Sequence, residues 1–412
     1  MNDQHADRAD ALQVTNTLRD AGYQALWAGG CVRDMKLDRQ RDADIDIATD
    51  ATPDQIRELF GEHRTVAVGA AFGVIMVLTR DRKTIEVATF RQDAGYSDGR
   101  HPDSVTFTSA REDALRRDFT INGMFYDPVK EEFIDHVDGQ ADLDASLIRA
   151  IGNAEQRFTE DKLRLLRAVR FAASLQFTIE PSTWSAIQQH AEEISAVSAE
   201  RIQKELRQIL EDPQRTTGLQ LLRDSGLLAA ILPELASAPL TAWTQLEATL
   251  EKLPDPGFAM VMAACCLSLA ADTEMDSAYD RLKLSNHDRQ LINWLCQQLP
   301  QLIELHHRPW PEAQQLLVDP RIDDLMVLAE AHQSACQGDL HWLAFCQDKL
   351  ALPSEELNPE AFISGDDLLA AGIPAGPAFR EILEQVRNAQ LEGRIIDRQQ
   401  ALALAQQIAA EG

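Results

Sequence analysis

The sequence predicts an α+β fold, with a head of alternating strands and helices followed by a long all-helical remainder. Three observations predict it. Strand and helix signals alternate up to about residue 145. Beyond residue 150 the strand signals fade, and helical patterns follow one another to the C-terminus. The loops between those later patterns carry prolines, among them Pro213, Pro233, Pro254 and Pro256.

Residues 10–21 read as an amphipathic helix, and 24–28 as a short strand running into Gly29-Gly30. A helix is expected over 31–37 and a strand over 43–48. A further helix covers 52–60, with Pro53 in the first turn, where its missing N–H is tolerated. Residues 73–78 and 84–90 form two strands joined by the polar turn Arg80-Asp81-Arg82-Lys83. Ser109 with Glu112 fits a capping box, so a helix begins at Ala110. Helices then follow over 161–175, 181–195, 199–210 and 217–228, and onward to 401–410. Neither a fixed-period repeat nor a low-complexity segment is evident.

Composition narrows the class. The chain has 412 residues, 45% hydrophobic and 25% charged, an ordinary globular balance. It contains no apolar run of the roughly 18 residues needed to span a membrane. The polar, acidic start from Met1 to Asp7 has neither the basic nor the apolar segment of a signal peptide. Cys31, Cys265, Cys266, Cys296, Cys336 and Cys346 show no zinc-ligand spacing, so they read as reduced thiols of a cytoplasmic protein. A formal charge of −27 argues against a nucleic-acid partner if the charge is spread evenly. It is not: acids gather in the last third, while arginines gather at 111, 116 and 117 and at 157, 164, 167 and 170. A basic cleft in an acidic body is the expectation.

Gly29-Gly30-Cys31-Val32-Arg33-Asp34 sits at a strand-to-helix turn. Paired glycines let a backbone approach a ligand, and Arg33 adds a planar cationic fork, a combination that suits a triphosphate. A plain tight turn is the alternative. There is no GxxxxGK[ST], so this is not a P-loop. Asp42-Ala43-Asp44-Ile45-Asp46-Ile47 follows. Residues two apart on a strand share a face, so Asp44 and Asp46 project together while Ile45 and Ile47 point to the core. Two carboxylates on one face repel unless cations join them. A pair of Mg²⁺ ions about 3.5–4 Å apart would relieve the repulsion and serve an in-line displacement at phosphorus. Glu86, on a predicted strand, is the candidate third carboxylate; a cross-strand surface pair is its alternative.

These motifs resemble the class II tRNA nucleotidyltransferase (CCA-adding enzyme) and bacterial poly(A) polymerase family. The resemblance continues through Tyr96-Ser97-Asp98-Gly99-Arg100-His101-Pro102, Arg116-Arg117-Asp118-Phe119-Thr120-Ile121-Asn122, and Glu160-Asp161-Lys162-Leu163-Arg164 with Leu166-Arg167-Ala168-Val169-Arg170-Phe171. It is dense over residues 20–230. It implies a polymerase-β-like nucleotidyltransferase head with a mixed sheet, followed by an all-α neck, body and tail. The divisions expected are 1–145 for the head, 146–215 for the neck, 216–340 for the body and 341–412 for the tail.

The resemblance also implies template-independent addition of C and A to the 3′ end of tRNA, with CTP, ATP and Mg²⁺. Asp44 and Asp46 would hold metal, with Glu86 beside them, and Gly29, Gly30 and Arg33 would hold the triphosphate. Arg117 would contact the nucleotide, with Asn122 supporting the sugar. Asp161 and Arg164 would read the base, and Arg167 and Arg170 would make further nucleotide or phosphate contacts.

The residues themselves fit these roles. Adjacent arginines on a helix point about 100° apart, so one of Arg116 and Arg117 would reach a ligand while the other pairs with Asp113 or Asp118. An Asp acceptor beside an Arg donor matches the exposed edge of cytosine or adenine, and uracil and guanine present the reverse pattern. The alternative for Asp161 and Arg164 is a plain intrahelical salt bridge. Arginines on an otherwise apolar helix need partners, which a nucleotide would supply.

In the family, the region that matches 98–103 is a mobile element that helps switch from C to A addition, and the presence of this pattern favours a CCA-adding enzyme over a bacterial poly(A) polymerase. Val197–Ile202 of the sequence resembles the neck, and Ile363–Leu368 with Gly372–Pro377 a C-terminal element. His287-Asp288 reads as a helix start after Ser285, not a phosphohydrolase ligand pair. The rival functions are a poly(A) polymerase, an enzyme adding only CC or only A, and a catalytically silent RNA-binding protein.

Overall fold

The computed structural model describes residues 8–39, 45–69, 72–95, 104–269, 275–376 and 378–411. Asp44 and the segment 96–103 lie outside these residues. The chain divides into two compact units, one formed by residues 1–237 with 274–283 and the other by 238–273 with 284–412.

The first unit opens with α1 (Arg8–Asp20) and β1 (Ala25–Ala28), a strand buried at every residue. Next come α2 (Gly30–Lys36), β2 (Asp46–Thr49) and α3 (Pro53–Phe60). Thr52 and Gln55 close a reciprocal cap on α3, with Pro53 in its first turn as expected. Strands β3 (Thr65–Gly69), β4 (Val74–Leu78) and β5 (Thr84–Thr89) complete one side of the sheet. The hairpin β6 (Arg91–Ala94) and β7 (Ser104–Phe107) forms a separate two-stranded sheet. Helix α4 (Ala110–Leu115) starts where Ser109 accepts a hydrogen bond from the Glu112 N–H. Strands β8 (Phe125–Asp127) and β9 (Glu132–Ile134) extend the main sheet.

That sheet runs β3-β4-β5-β2-β1-β8-β9. It is mixed: β2 and β5 are parallel, and the other neighbours are antiparallel. Its register brings Ala28 opposite Asp46 and Ile47 beside Val87. Asp46, the first residue of β2, and Glu86, the third of β5, therefore lie side by side on one face of neighbouring strands, while Ile47 and Val87 are fully buried on the other.

The helical part of this unit begins with α5 (Gly139–Asp144), after which β10 (Leu147–Ile148) pairs with β11 (Thr178–Ile179). Between those two strands lie α6 (Ala154–Glu160) and α7 (Leu163–Leu175), and α8 (Pro181–His190) and α9 (Ala199–Leu210) follow. The expected helix over 161–175 starts two residues later. Asp161 is extended, at φ −147° and ψ 105°, and breaks the chain between α6 and α7. Its carboxylate accepts the Leu163 N–H at 3.1 Å and so satisfies an opening N–H of α7.

Described residues of the second unit are all helical or irregular, from Leu240–Lys252 to Arg398–Glu411. The helix Phe258–Leu267 is apolar throughout and almost wholly buried. Ser285 caps Asn286–Ile303 by accepting the Asp288 N–H, so His287-Asp288 does open a helix. A separate core near the C-terminus joins Leu368, Ile382, Val386 and Ala401. No helix among the described residues is long and apolar enough to cross a membrane.

Candidate active site

A cleft of about 570 Å³ opens in the first unit. It is lined by Gly29, Gly30, Arg33, Asp46, Glu86, Arg117, Asn122, Asp161, Arg164, Arg167 and Arg170. The described site residues predicted from the sequence thus fall in one place, although they come from the β1–α2 turn, α2, β2, β5, the segment after α4, the break between α6 and α7, and α7 itself. Asp44 lies outside the described residues, as does the loop 98–103.

The floor is the end of the sheet. Gly29 has φ +78°, a conformation that side chains rarely adopt, which explains a glycine there. A Cβ on it would lie 3.5 Å from Arg117 Nη1 and 3.8 Å from Asp46 Oδ2, so the turn runs close beside both. Cys31 is buried next to Asp46, and burial first, then that carboxylate, push its thiol up to about 12. It therefore remains protonated at neutral pH and is no nucleophile.

One wall is built by the Arg-Arg-Asp run. Helix α4 ends at Leu115, so Arg116 and Arg117 leave a helix end rather than adjacent helical positions. The 100° separation expected of them does not apply. Both pair with Asp113, Arg116 through Oδ1 at 2.6 Å and Arg117 through Oδ2 at 3.1 Å. Burial would raise the Asp113 carboxyl, but the two guanidinium charges outweigh it and hold it below its ordinary range. Arg117 also stacks on Phe125, its Cζ 5.1 Å from the ring centre.

Asp118 ties this wall to the helices. Its Oδ1 accepts the Phe119 N–H and the Asn122 amide, and its Oδ2 accepts Arg167 Nε at 2.8 Å. Burial pushes its carboxyl up, while the charge and hydrogen bond of Arg167 and the charge of Arg164 pull it down further, to about 2. Asn122 accepts Arg33 Nη1 at 2.9 Å, and Arg33 Nε donates to Asp34 at 2.8 Å.

The opposite wall is α7. Arg164 donates to the carbonyls of Arg157 and Arg116 and to Glu160 at 2.8 Å. The salt bridge that i,i+3 spacing would allow with Asp161 does not form, because Asp161 sits outside the helix and pairs with Arg201 of α9 at 2.8 Å. Arg170 Nε lies 2.7 Å from Glu205 of α9, and Arg167 lies 3.6 Å from the same residue. The half-buried arginines are thus met by carboxylates from other elements.

Sequence reasoning named Asp113 as a partner for one of the two arginines, whereas it pairs with both, and it missed Arg201 and Glu205 as members of this network. Glu205 left one signal: it sits on the apolar stripe of α9 with Ile202, Leu206 and Ile209, and is 6% exposed. Asp46 and Glu86 offer hard oxygen donors of the kind a divalent cation takes. Among the described residues no three His, Cys, Asp or Glu side chains are grouped to hold a metal. Two carboxylates suffice for Mg²⁺, which keeps water and substrate phosphates as its other ligands.

Residues 25–149 match the family model "Poly A polymerase head domain", and residues 176–238 match "Probable RNA and SrmB- binding site of polymerase A". The CCA-adding enzyme of Lactobacillus johnsonii is 35% identical over 408 residues, covering 95% of each chain. The chain belongs to the CCA-adding enzyme family. Members are nucleotidyltransferases, and the mixed-sheet head and helical remainder are their fold. The CCA-adding enzyme of Latilactobacillus sakei is 43% identical over a shorter stretch, 55% of this chain and 56% of its own. The Bacillus stearothermophilus CCA-adding enzyme in complex with CTP superposes with a TM-score of 0.78 at 30% identity, covering 97% of this chain and 96% of its own. A Thermotoga maritima CCA-adding enzyme complexed with tRNA shares the fold, with a TM-score of 0.67 at 20% identity.

Proposed function

We propose that this CCA-adding enzyme family member is a cytoplasmic protein that adds C and A to the 3′ end of tRNA from CTP and ATP, without a nucleic-acid template. The observation that carries the reading is a single cleft with carboxylates on its floor and base-matching groups on its wall. Asp46 and Glu86 line the same space as Asp161 and Arg164. Structures of CCA-adding enzymes in complex with CTP, ATP and tRNA support the choice of substrates.

In the reaction the tRNA 3′ hydroxyl gives up its proton to solvent water as its oxygen forms a bond to the α-phosphorus, the bond from that phosphorus to the oxygen bridging the β-phosphate breaks, and pyrophosphate leaves with the electron pair. Asp46, with Asp44 from the sequence and Glu86 beside them, would hold Mg²⁺. When bound, the metal lowers the pKa of the attacking hydroxyl and screens charge on the phosphates. Arg33, Arg167 and Arg170 would receive the triphosphate, and Arg117 the nucleotide beside Gly29. Asn122, already joined to Arg33 and Asp118, would fix the sugar.

Base choice falls to Asp161 and Arg164. Each Asp161 oxygen already accepts one hydrogen bond, from Leu163 or Arg201, and keeps a second lone pair. It can therefore accept the amino group of cytosine or adenine while Arg164 donates to the neighbouring ring nitrogen. Uracil and guanine would set acceptor against acceptor.

The test is extension of tRNA transcripts ending before CCA, after C and after CC, with each nucleoside triphosphate alone and mixed. The reading requires C, C and A in order, and Asp161→Ala should lose the choice. Addition of A alone to every primer would favour a poly(A) polymerase. Completion of only CC or only A would mark a partial enzyme. No incorporation of labelled CTP or ATP would leave a silent RNA-binding protein.

A further inference from the structure

Three guanidinium groups of the cleft meet at one aromatic ring. Cζ of Arg170 lies 4.3 Å from the centre of Phe171, that of Arg33 5.1 Å and that of Arg167 5.2 Å. Two of these arginines come from α7 and the third from α2, so the ring is where the two elements bring their charge together. Phe171 lines the cleft but is only 7% exposed. Its other neighbour is Phe119, which packs edge-on at 5.9 Å and is fully buried.

Like charges this close repel. Asp34 pairs with Arg33, Asp118 with Arg167 and Glu205 with Arg170 at 2.7–2.8 Å, and Glu205 also lies 3.6 Å from Arg167. Those partners fix the individual ion pairs, but none of them touches all three cations. The ring does, and the negative face of a phenyl group attracts a guanidinium without consuming its N–H donors. Donors held by a ring remain available to phosphate oxygens, whereas donors held by a carboxylate must be shared.

We infer that Phe171 is a positioning residue for the triphosphate: its ring holds the guanidinium groups of Arg33, Arg167 and Arg170 together at the cleft wall with donors turned to the ligand. This rests on the nucleotidyltransferase reading of the cleft. The base-reading pair, Asp161 and Arg164, does not touch the ring in any described contact, so Phe171 should govern affinity and leave base choice alone.

The test uses the full chain with Phe171→Leu, Phe171→Tyr and, as a packing control, Phe119→Leu. Binding of CTP, ATP and inorganic tripolyphosphate is measured by calorimetry in MgCl₂, alongside kcat and KM on tRNA. Losing the ring contacts should weaken all three ligands by about tenfold in Phe171→Leu. KM should rise with kcat nearly unchanged, and the preference for C and A over U and G should persist. Phe171→Tyr should restore affinity. Phe119→Leu should cost stability but not affinity.

Wild-type protein that binds none of the three ligands would overturn the reading of the cleft and this inference with it. Wild-type binding that Phe171→Leu leaves intact would overturn the inference alone. So would a fall in kcat at constant KM, a loss of base choice, or an equal loss of affinity in Phe119→Leu.

Discussion

Helix α7 and the helix Phe258–Leu267 are both buried on nearly every side, one in each compact unit, yet their sequences treat that burial in opposite ways. Phe258–Leu267 carries nothing charged, and eight of its residues are buried, from Phe258 to Cys265. Helix α7 buries Leu165, Leu166, Ala168 and Val169 completely, and threads Arg164, Arg167 and Arg170 between them. Each of those arginines needs a carboxylate brought from elsewhere: Glu160, Asp118 or Glu205. Well-packed apolar residues in place of such pairs commonly match or exceed their stability. Folding alone therefore does not account for the arginines of α7, and it does account for the apolar helix. The difference supports the proposed reading, in which the half-buried charge of α7 serves the cleft it lines.

Substitutions in the two regions should separate along that line. The largest effect belongs to the cleft floor: Asp46→Ala should lower the rate of nucleotide addition by about a thousandfold or more, roughly 4 kcal/mol, with an unchanged thermal midpoint. Single-turnover extension of a tRNA primer measures it. Next, Arg167→Met leaves Asp118 buried without its main partner. It should cost about 3–5 kcal/mol in urea unfolding and weaken CTP binding as well.

By contrast Met262→Ala, at a fully buried position of the apolar helix, should cost about 2–4 kcal/mol of stability and leave CTP affinity unchanged. A change in CTP affinity there would break the comparison. The smallest effect is an acid one. The Asp118 carboxyl is lowered from 3.8 to about 2, so its stabilisation is complete above pH 4 and is lost as pH falls towards 2. That loss amounts to about 2 kcal/mol. Asp118→Asn should flatten the stability curve over that interval, as read by unfolding at fixed low pH values.

The sequence makes some of this legible for physical reasons. Gly29 and Asp46 stand out because each violates a local preference: a glycine pair at a strand end, and acids repeated along a strand. Arg164, Arg167 and Arg170 stand out because charge recurs inside an apolar pattern. The ion-pair partners are less legible. That Asp113 takes both Arg116 and Arg117, or that Arg201 takes Asp161, depends on where α4 and α6 end, and helix ends carry weak signals. The expected helix over 161–175 absorbed Asp161 because no proline or glycine marks the break. Strands β8 and β9, of three residues each, are too short for a period of two to show.

The most direct test of the central claim replaces one buried pair of α7 by apolar residues. Arg170→Met together with Glu205→Leu removes both charges of the pair, and Arg167, which loses its longer contact to Glu205, keeps Asp118 at 2.7 Å. The account predicts a thermal midpoint equal to or above that of the wild type, and CTP binding weakened by about tenfold or more in calorimetry. Unchanged CTP affinity in a folded double variant would contradict it, because the buried charge of α7 would then have no work in the cleft.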